Sequence, residues 1–191
     1  CEVNDKINVL DVACGTGDIS LGLLDRNPDI KLTCLDPNQE MINICKERLL
    51  NKGYTNVNYR NTGIESLQSP NEKFDLVTVA FGFRNFTDHE KALINIFNIL
   101  EPYGTFIIMD FKKPRNKIIS KFFNFYTLNI IPQIGKSVTG DKESYRYLGE
   151  SIQTYFSSSE IKDMCSDVGF SNVRIINLPE DVASIHIMRK L

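Results

Sequence analysis

A glycine-containing loop near the start of the chain is the first group of residues that could bind a cofactor. Residues 9–18 read VLDVACGTGD, so Gly15, Thr16 and Gly17 follow an apolar run and precede a helical pattern. Glycine has no Cβ, so the backbone can turn sharply and approach a ligand closely. A dinucleotide-binding loop would carry a third glycine where this chain has Ser20. The loop therefore favours a nucleoside cofactor without a pyrophosphate.

Three acidic residues surround this loop. Asp11 precedes the glycines, Asp18 follows them directly, and Asp36 ends the next apolar run about twenty residues on. Carboxylates suit a cationic ligand better than a phosphate, and an acid at the position of Asp36 accepts hydrogen bonds from a ribose diol. This pattern predicts S-adenosylmethionine, which carries an ammonium and a sulfonium. The alternative is an ordinary tight turn, with Asp36 capping the following helix.

Three further residues are placed to line the same cofactor site. Gly63 and Ile64 follow the third predicted strand, and Ala80 ends the fourth. They could contact an adenine ring and the methionine end of the cofactor. Each of them, taken alone, is more often a core residue.

Apolar runs alternate with helical patterns along the chain, and this alternation predicts an α/β fold with a parallel sheet. The predicted strands cover residues 7–13, 30–35, 57–60, 74–81, 105–111, 173–177 and 182–188. Asp18, Asn38 and Asp88 are placed to cap three helices, and a fourth helix is predicted over 158–168. We expect one domain over residues 1–191, with an aromatic-rich helical lid inserted at about 112–156.

Composition narrows the functional classes. The net charge of −2 provides no basic surface for a nucleic-acid backbone, so we expect no nucleic-acid partner. The five cysteines are an odd number without a C-x-x-C pair, which predicts reduced intracellular thiols and no metal site. No apolar run reaches the roughly 20 residues that cross a bilayer. Because the chain begins with Cys1 rather than Met, we expect that a preceding segment is missing.

The segment 81–88, FGFRNFTD, resembles the F-G-x-R-N-x-x-D signature of the ubiquinone and menaquinone biosynthesis C-methyltransferases. Residues 11–17 are similar to the first motif of class I S-adenosylmethionine-dependent methyltransferases, and the resemblance continues through 132–135 and 141–152. It implies a Rossmann-like class I fold with a mostly parallel seven-stranded sheet and a helical lid. It also implies ring methylation of a polyprenylated benzoquinol or of demethylmenaquinol.

The chain departs from the family pattern in several turns. It has EPYG at 101–104 where the family has K-P-G-G, DFK at 110–112 where the family has E-x-S, and Asp181 in place of a glycine. The family's N-terminal segment with its Y-D-x-M-N and H-x-x-W elements is absent. Since that segment helps to close the pocket in the family, we expect this chain alone to be incompletely active.

The resemblance implies a catalytic role for Arg84 and Asn85. A ring carbon becomes nucleophilic when an adjacent hydroxyl is deprotonated, and a guanidinium can hold the resulting phenolate directly or through a water. Asn85 would orient the same hydroxyl. The alternative is a helix-entry turn in which Arg84 pairs with a nearby carboxylate.

A second polar group lies in the predicted lid, where Asp141, Tyr145 and Arg146 could frame the quinol head group or form core hydrogen bonds. The lid's aromatic residues could admit a polyprenyl tail or simply cover the core. His186 also matches a family residue, but a lone histidine in a strand is more often structural than a base.

Partners and location follow only from the resemblance. It implies a lipid quinol substrate, peripheral membrane association, a homodimer and a quinone-synthesis complex, in the mitochondrial matrix or the bacterial cytoplasm. Two competing functions remain: a non-catalytic scaffold subunit of such a complex, and an O- or N-methyltransferase for another small molecule. A nucleotide-dependent dehydrogenase is a more distant alternative.

Overall fold

The computed structural model describes residues 7–67, 72–111, 156–178 and 183–191. These residues form one seven-stranded sheet in the order β3-β2-β1-β4-β5-β7-β6. The strands are β1 (Asn8–Val12), β2 (Lys31–Leu35), β3 (Val57–Arg60), β4 (Phe74–Ala80), β5 (Leu100–Phe111), β6 (Phe170–Asn177) and β7 (Ala183–Lys190). The pairings among β1 to β5 are parallel, and β7 runs antiparallel to both β5 and β6. The mostly parallel α/β prediction is confirmed.

Helices cover both faces of the sheet. They are α1 (Asp18–Arg26), α2 (Gln39–Asn51), α3 (His89–Ile99) and α4 (Ser158–Val168), with single 3-10 turns at Ile64–Ser66 and Phe83–Asn85. Successive residues of a strand point to opposite faces. Accordingly, Leu10 packs in the core that includes α3 and α4, and Val9 packs in the core that includes α1 and α2.

Two of the three predicted helix caps are confirmed. The Asn38 side chain accepts hydrogen bonds from the backbone N–H groups of Glu40 and Met41, and the Asp88 side chain accepts one from Lys91. The predicted Asp18 cap is wrong, because Gly17 is the N-cap residue of α1 and Asp18 is the first residue of the helix. Gly17 has a φ of 84°, in the left-handed region that glycine adopts without strain.

The beginning of β5 also differs from the prediction. The strand begins at Leu100 rather than at residue 105, and the Pro102–Gly104 turn is an irregularity inside it. Leu100 lies opposite Phe74, and Thr105 lies opposite Leu76, so the extra residues bulge out of the ladder. Tyr103 at the bulge has a φ of 65° and is 73% exposed.

Most of the predicted lid, 112–155, lies outside the described residues, as do Asp141, Tyr145, Arg146 and Asp181. Its last residue, Phe156, packs edge-on against His89 with ring centroids 5.0 Å apart. Within the described ranges, no helix is both long enough and apolar enough to span a bilayer.

Candidate active site

A cavity of about 380 Å³ opens at the carboxyl ends of the central strands. Ligands bind at this edge in open α/β sheets. The wall comes from the segments that follow the first four strands and includes Ala13, Asp36, Gly63, Ile64, Gly82 and Asn85. A larger groove of about 650 Å³ between α3 and α4 contains none of the predicted site residues, so we assign the site to the smaller cavity.

Asp36 fixes the glycine loop and faces the cavity. Its Oδ2 accepts a hydrogen bond from the Gly15 backbone at 2.9 Å, and its Oδ1 accepts one from the Asn38 backbone at 2.8 Å. A carboxylate offers about four lone-pair positions, so both oxygens can still accept a bond from a ligand. Gly15 itself has a φ of 53°, and a Cβ there would have no heavy atom within 4 Å.

Asp11 lies behind the loop rather than on the cavity wall. The side chain is 1% exposed, and its oxygens accept hydrogen bonds from Ser20 Oγ at 2.6 Å and Thr78 Oγ1 at 2.8 Å. Burial raises the pKa of Asp11 to about 6, while the two hydroxyl donors act in the opposite direction. Asp11 therefore joins β1 to α1 and β4.

Asp18 faces Arg48 on α2 instead of the cavity. Arg48 Nη2 binds Asp18 Oδ1 at 2.7 Å, and Arg48 Nη1 donates to the Thr16 carbonyl at 2.7 Å. The Thr16 hydroxyl also donates to Asp18 at 2.9 Å, and these donors lower the pKa of the carboxyl. Neither Asp11 nor Asp18 lines the cavity, so the expectation that both offer their charge to a cationic ligand does not match this geometry.

The segments after β1 and β4 touch at the cavity rim, and sequence reasoning missed this contact. A Cβ on Gly82 would overlap the Cβ of Ala13, so only glycine fits there. Ala13 and Phe81 have backbone φ values of 53° and 56°, which residues other than glycine rarely adopt. Ala80, one residue earlier, ends β4 beside Met109 and does not line the cavity.

Arg84 forms a buried ion pair with Asp110 of β5. Arg84 Nη1 binds Asp110 Oδ1, and the Arg84 backbone N–H donates to Asp110 Oδ2 at 3.3 Å. The side chains are only 9% and 2% exposed. The guanidinium also lies 5.6 Å from the ring centroid of Phe111. Arg84 thus pairs with a nearby carboxylate, as the alternative to a catalytic role predicted. The adjacent Asn85 lines the cavity.

Comparison with known proteins decides the family. Residues 1–190 match the model of the ubiE/COQ5 methyltransferase family. The chain is 39% identical over 193 residues to the ubiquinone/menaquinone biosynthesis C-methyltransferase UbiE of Rickettsia bellii, covering 98% of this chain and 78% of that protein. It is 40% identical over 180 residues to UbiE of Pasteurella multocida, covering 93% and 67%. The chain belongs to the ubiE/COQ5 methyltransferase family. It is an S-adenosylmethionine-dependent C-methyltransferase.

Solved structures agree on the fold. An S-adenosylmethionine-dependent methyltransferase from Aquifex aeolicus superimposes with a TM-score of 0.69 at 19% identity, covering 97% of this chain and 82% of that one. One from Thermotoga maritima gives 0.67 at 16% identity, covering 96% and 82%. The class I fold that the resemblance implied for this family member is confirmed.

Asp110 is another residue of this ubiE/COQ5 member that sequence reasoning overlooked. It was noted only as part of the departure from E-x-S. Along β5 the buried positions alternate through Gly104, Phe106, Ile108 and Asp110, so an acidic residue in this register must be buried. Burial raises the pKa of Asp110, and the charge of Arg84 opposes that rise. The strand alternation was the signal that could have pointed to a buried cationic partner.

Three cysteines meet behind the glycine loop. The Sγ atoms of Cys14, Cys34 and Cys45 all lie within 4.8 Å of one another, and we call them the thiol cluster. Their separation along the chain hid this arrangement, because they come from the loop after β1, from β2 and from α2. The neighbouring Cys14 and Cys34 thiols lower the pKa of the Cys45 thiol.

Proposed function

We propose that this chain methylates a ring carbon of a polyprenyl quinol, either a benzoquinol or demethylmenaquinol, in ubiquinone or menaquinone biosynthesis. The UbiE relatives from Rickettsia bellii and Pasteurella multocida are named ubiquinone/menaquinone biosynthesis C-methyltransferases, which supports the reaction type and the pathway. The observation that carries the proposal is a buried cation beside the cavity: Arg84 is fixed by Asp110, and the adjacent Asn85 lines the wall.

The cavity residues fit an adenosyl cofactor. Asp36 presents a carboxylate with spare acceptor positions to a ribose diol, and Ile64, which is 1% exposed, provides an apolar surface beside it. Gly82 lets the segment after β4 lie against Ala13 at the rim, because a Cβ on Gly82 would overlap the Ala13 Cβ. S-adenosylmethionine supplies the methyl group when bound, and the roles of Gly15, Thr16, Gly17 and Gly63 toward it belong to the same proposal.

Arg84 and Asn85 act on the acceptor. Carbon methylation forms a carbon–carbon bond, breaks the carbon–sulfur bond of the donor, which leaves as a thioether, and releases the ring proton to water. The ring carbon becomes nucleophilic only when the neighbouring hydroxyl has given its own proton to water. A guanidinium stabilises the phenolate by charge-assisted hydrogen bonds. Arg84 Nε is buried and has no hydrogen-bond partner among the described residues, and we propose that the substrate or a water provides its acceptor while Nη1 holds Asp110.

Product analysis tests the reaction. The chain is incubated with isotopically methyl-labelled S-adenosylmethionine and a short-chain demethylmenaquinol, and the product is examined by mass spectrometry and NMR. We expect the label on a ring carbon. Methyl ethers as the only products would identify an O-methyltransferase, and failure to bind S-adenosylmethionine in calorimetry would identify the scaffold subunit.

Substitution of Arg84 tests the catalytic role separately. Arg84→Lys keeps a positive charge for Asp110 but removes Nε and the planar fork, so we expect kcat to fall about 10²-fold or more with cofactor affinity unchanged. Arg60→Lys is the matched control, because Arg60 pairs with Glu72 at 2.5 Å and both side chains are about one-third exposed. An unchanged kcat in Arg84→Lys would mean that the Asp110 pair is the whole role of Arg84.

Substrate framing by Asp141, Tyr145 and Arg146 and the membrane partnership extend the same proposal. A lipid quinol requires peripheral contact with a membrane, and both relatives named above are bacterial, which favours the bacterial cytoplasm over the mitochondrial matrix. Co-sedimentation with vesicles that contain a polyprenyl quinol measures the contact. A homodimer and a quinone-synthesis complex are expected on the same grounds, and sedimentation velocity measures the oligomeric state.

A further inference from the structure

The thiol cluster lies outside the machinery proposed above. Cys14, Cys34 and Cys45 are 8%, 0% and 0% exposed, and none of them lines the cavity. They connect the three pieces of chain that shape the cofactor loop, namely the loop itself, β2 and α2. Buried cysteines often serve as small apolar residues, so a function needs a reason beyond burial. That reason is the convergence of three sulfur atoms on one point.

We propose that the thiol cluster binds one thiophilic metal ion, Cu(I), through three sulfur ligands. A metal–sulfur bond of about 2.3 Å places the sulfurs of a trigonal site about 4 Å apart. The Sγ atoms already lie within 4.8 Å of one another, so small side-chain rotations are sufficient to close such a site. Soft thiolates select Cu(I) or Zn²⁺ over hard cations such as Mg²⁺.

The number of ligands favours Cu(I) over Zn²⁺. Structural zinc sites are almost always four-coordinate, and no histidine or carboxylate joins the three cysteines within the described ranges. The chain's two histidines, His89 and His186, lie on α3 and β7. Ser20 Oγ lies 3.1 Å from Cys34 Sγ, but it donates to Asp11 Oδ2 at 2.6 Å. Three sulfurs without a fourth ligand suit a three-coordinate monovalent ion.

The surroundings of the cluster connect an ion there to the cofactor loop. Cys14 adjoins Gly15, and a Cβ on Gly17 would lie 2.6 Å from Cys45 Sγ, so the loop rests directly on the sulfurs. The positive charge of Arg48 acts on Cys45 and offsets part of the negative charge of bound thiolates. The proposal goes beyond the methyl-transfer function and does not depend on it.

Competition for Cu(I) tests the site. The reduced chain is titrated anaerobically against a chromophoric Cu(I) chelator, with Cys1→Ser in every protein because Cys1 lies outside the described residues. We expect one Cu(I) per chain. Loss of an outer-shell partner weakens a metal site by about 10–100-fold, so loss of a direct ligand in Cys14→Ser, Cys34→Ser or Cys45→Ser should weaken it by about 100-fold or more.

Cys165→Ser is the matched control. Cys165 is 0% exposed like two members of the cluster, but it belongs to α4 and to the other core, so its loss should leave affinity and stoichiometry unchanged. Circular dichroism confirms that each variant is folded. If a cluster variant does not fold, X-ray absorption on the loaded starting protein still decides, because three sulfur neighbours at about 2.3 Å are expected.

Four outcomes overturn the proposal. If all variants bind Cu(I) equally, the sulfurs only fill the core. The same conclusion follows if the starting protein, which carries Cys1→Ser alone, binds no Cu(I). Zn²⁺ binding without Cu(I) binding refutes the choice of ion. A disulfide within the cluster, recognised by mass spectrometry as a loss of hydrogen before reduction, replaces the metal site with a redox bond.

Discussion

Replacement of Gly17 by alanine is the most discriminating test of the loop geometry, and Gly15→Ala is its matched control. Both glycines have φ values in the left-handed region, 84° and 53°. An alanine there costs about 1–2 kcal/mol of conformational energy at either position. Alanine also makes the unfolded chain less flexible than glycine does, and the resulting stabilisation of about 0.4–1 kcal/mol applies to both variants. The comparison therefore isolates what the added Cβ meets.

The two positions differ sharply in space. A Cβ at Gly15 has no heavy atom within 4 Å, while one at Gly17 lies 2.6 Å from Cys45 Sγ and 3.3 Å from Cys45 Cβ. Cys45 is fully buried, so it cannot swing away into solvent. Overpacking a core costs about 1–3 kcal/mol. We expect Gly17→Ala to lower the free energy of unfolding by about 1–3 kcal/mol more than Gly15→Ala does.

A double-mutant cycle assigns that difference to one contact. Cys45→Ala removes the Sγ atom, so Gly17→Ala should be milder in that background, with an interaction energy of about 1–3 kcal/mol. Urea unfolding, measured with a reductant and a metal chelator present, gives all four stabilities. Equal effects of the two glycine variants, or additivity in the cycle, would refute the packing of the loop against Cys45.

The other predictions concern buried charge and a helix cap. Because burial raises the pKa of Asp11 from 3.8 to about 6, the folded state binds its proton more tightly than the unfolded state. The stability that this proton contributes is fully present below the unfolded-state pKa of 3.8 and is lost as the pH rises through the folded-state pKa of about 6. The total loss is about 3 kcal/mol. Between about pH 4 and pH 7, urea unfolding of the unsubstituted chain should show this decline in the free energy of unfolding, and Asp11→Asn should not show it. Asp110→Asn removes the negative charge that pairs with buried Arg84, so we expect the free energy of unfolding, measured in urea, to fall by about 3–5 kcal/mol. Glu72→Gln breaks the Arg60–Glu72 pair, which is about one-third exposed, and should lower the free energy of unfolding by only about 0–1 kcal/mol. Similar losses in Asp110→Asn and Glu72→Gln would contradict the proposed difference between the buried and the partly exposed ion pair. Asn38→Ala removes the cap of α2 and should cost about 1 kcal/mol by thermal unfolding, with no change if water replaces the cap.

Local signals in the sequence were sufficient for much of the fold. Asn38 and Asp88 cap their helices because an N-cap needs only an acceptor a few residues before its target. Alternation of strand and helix patterns predicted the mostly parallel sheet. Asp18 misled this reasoning, because Arg48, thirty residues away in the chain, binds its carboxylate and Gly17 takes the cap position.

Features that depend on pairing across the sheet were beyond the sequence. The early start of β5 requires the register between Leu100 and Phe74, which no local pattern records. The Arg84–Asp110 pair and the thiol cluster likewise join residues that are distant in the chain. For the site, sequence reasoning identified Asp36, Gly63, Ile64 and Asn85, which line the cavity, but missed Ala13 and Gly82.

Three buried carboxylates explain how the loops around the cavity are held. At the β1–β2 junction, Asp36 accepts from the Gly15 backbone; at the β1–β4 junction, Asp11 accepts from Thr78. At the β4–β5 junction, Asp110 holds Arg84. Each carboxylate joins one strand end to its neighbour, and buried hydrogen bonds to ionised groups are worth about twice those between neutral groups. Apolar side chains would cover these junctions without fixing a direction, whereas an acceptor with two oxygens fixes where the next loop's donor must lie. The geometry of the cavity rim is therefore set by charge at each strand junction, at a cost in desolvation that the raised pKa values of Asp11 and Asp110 record.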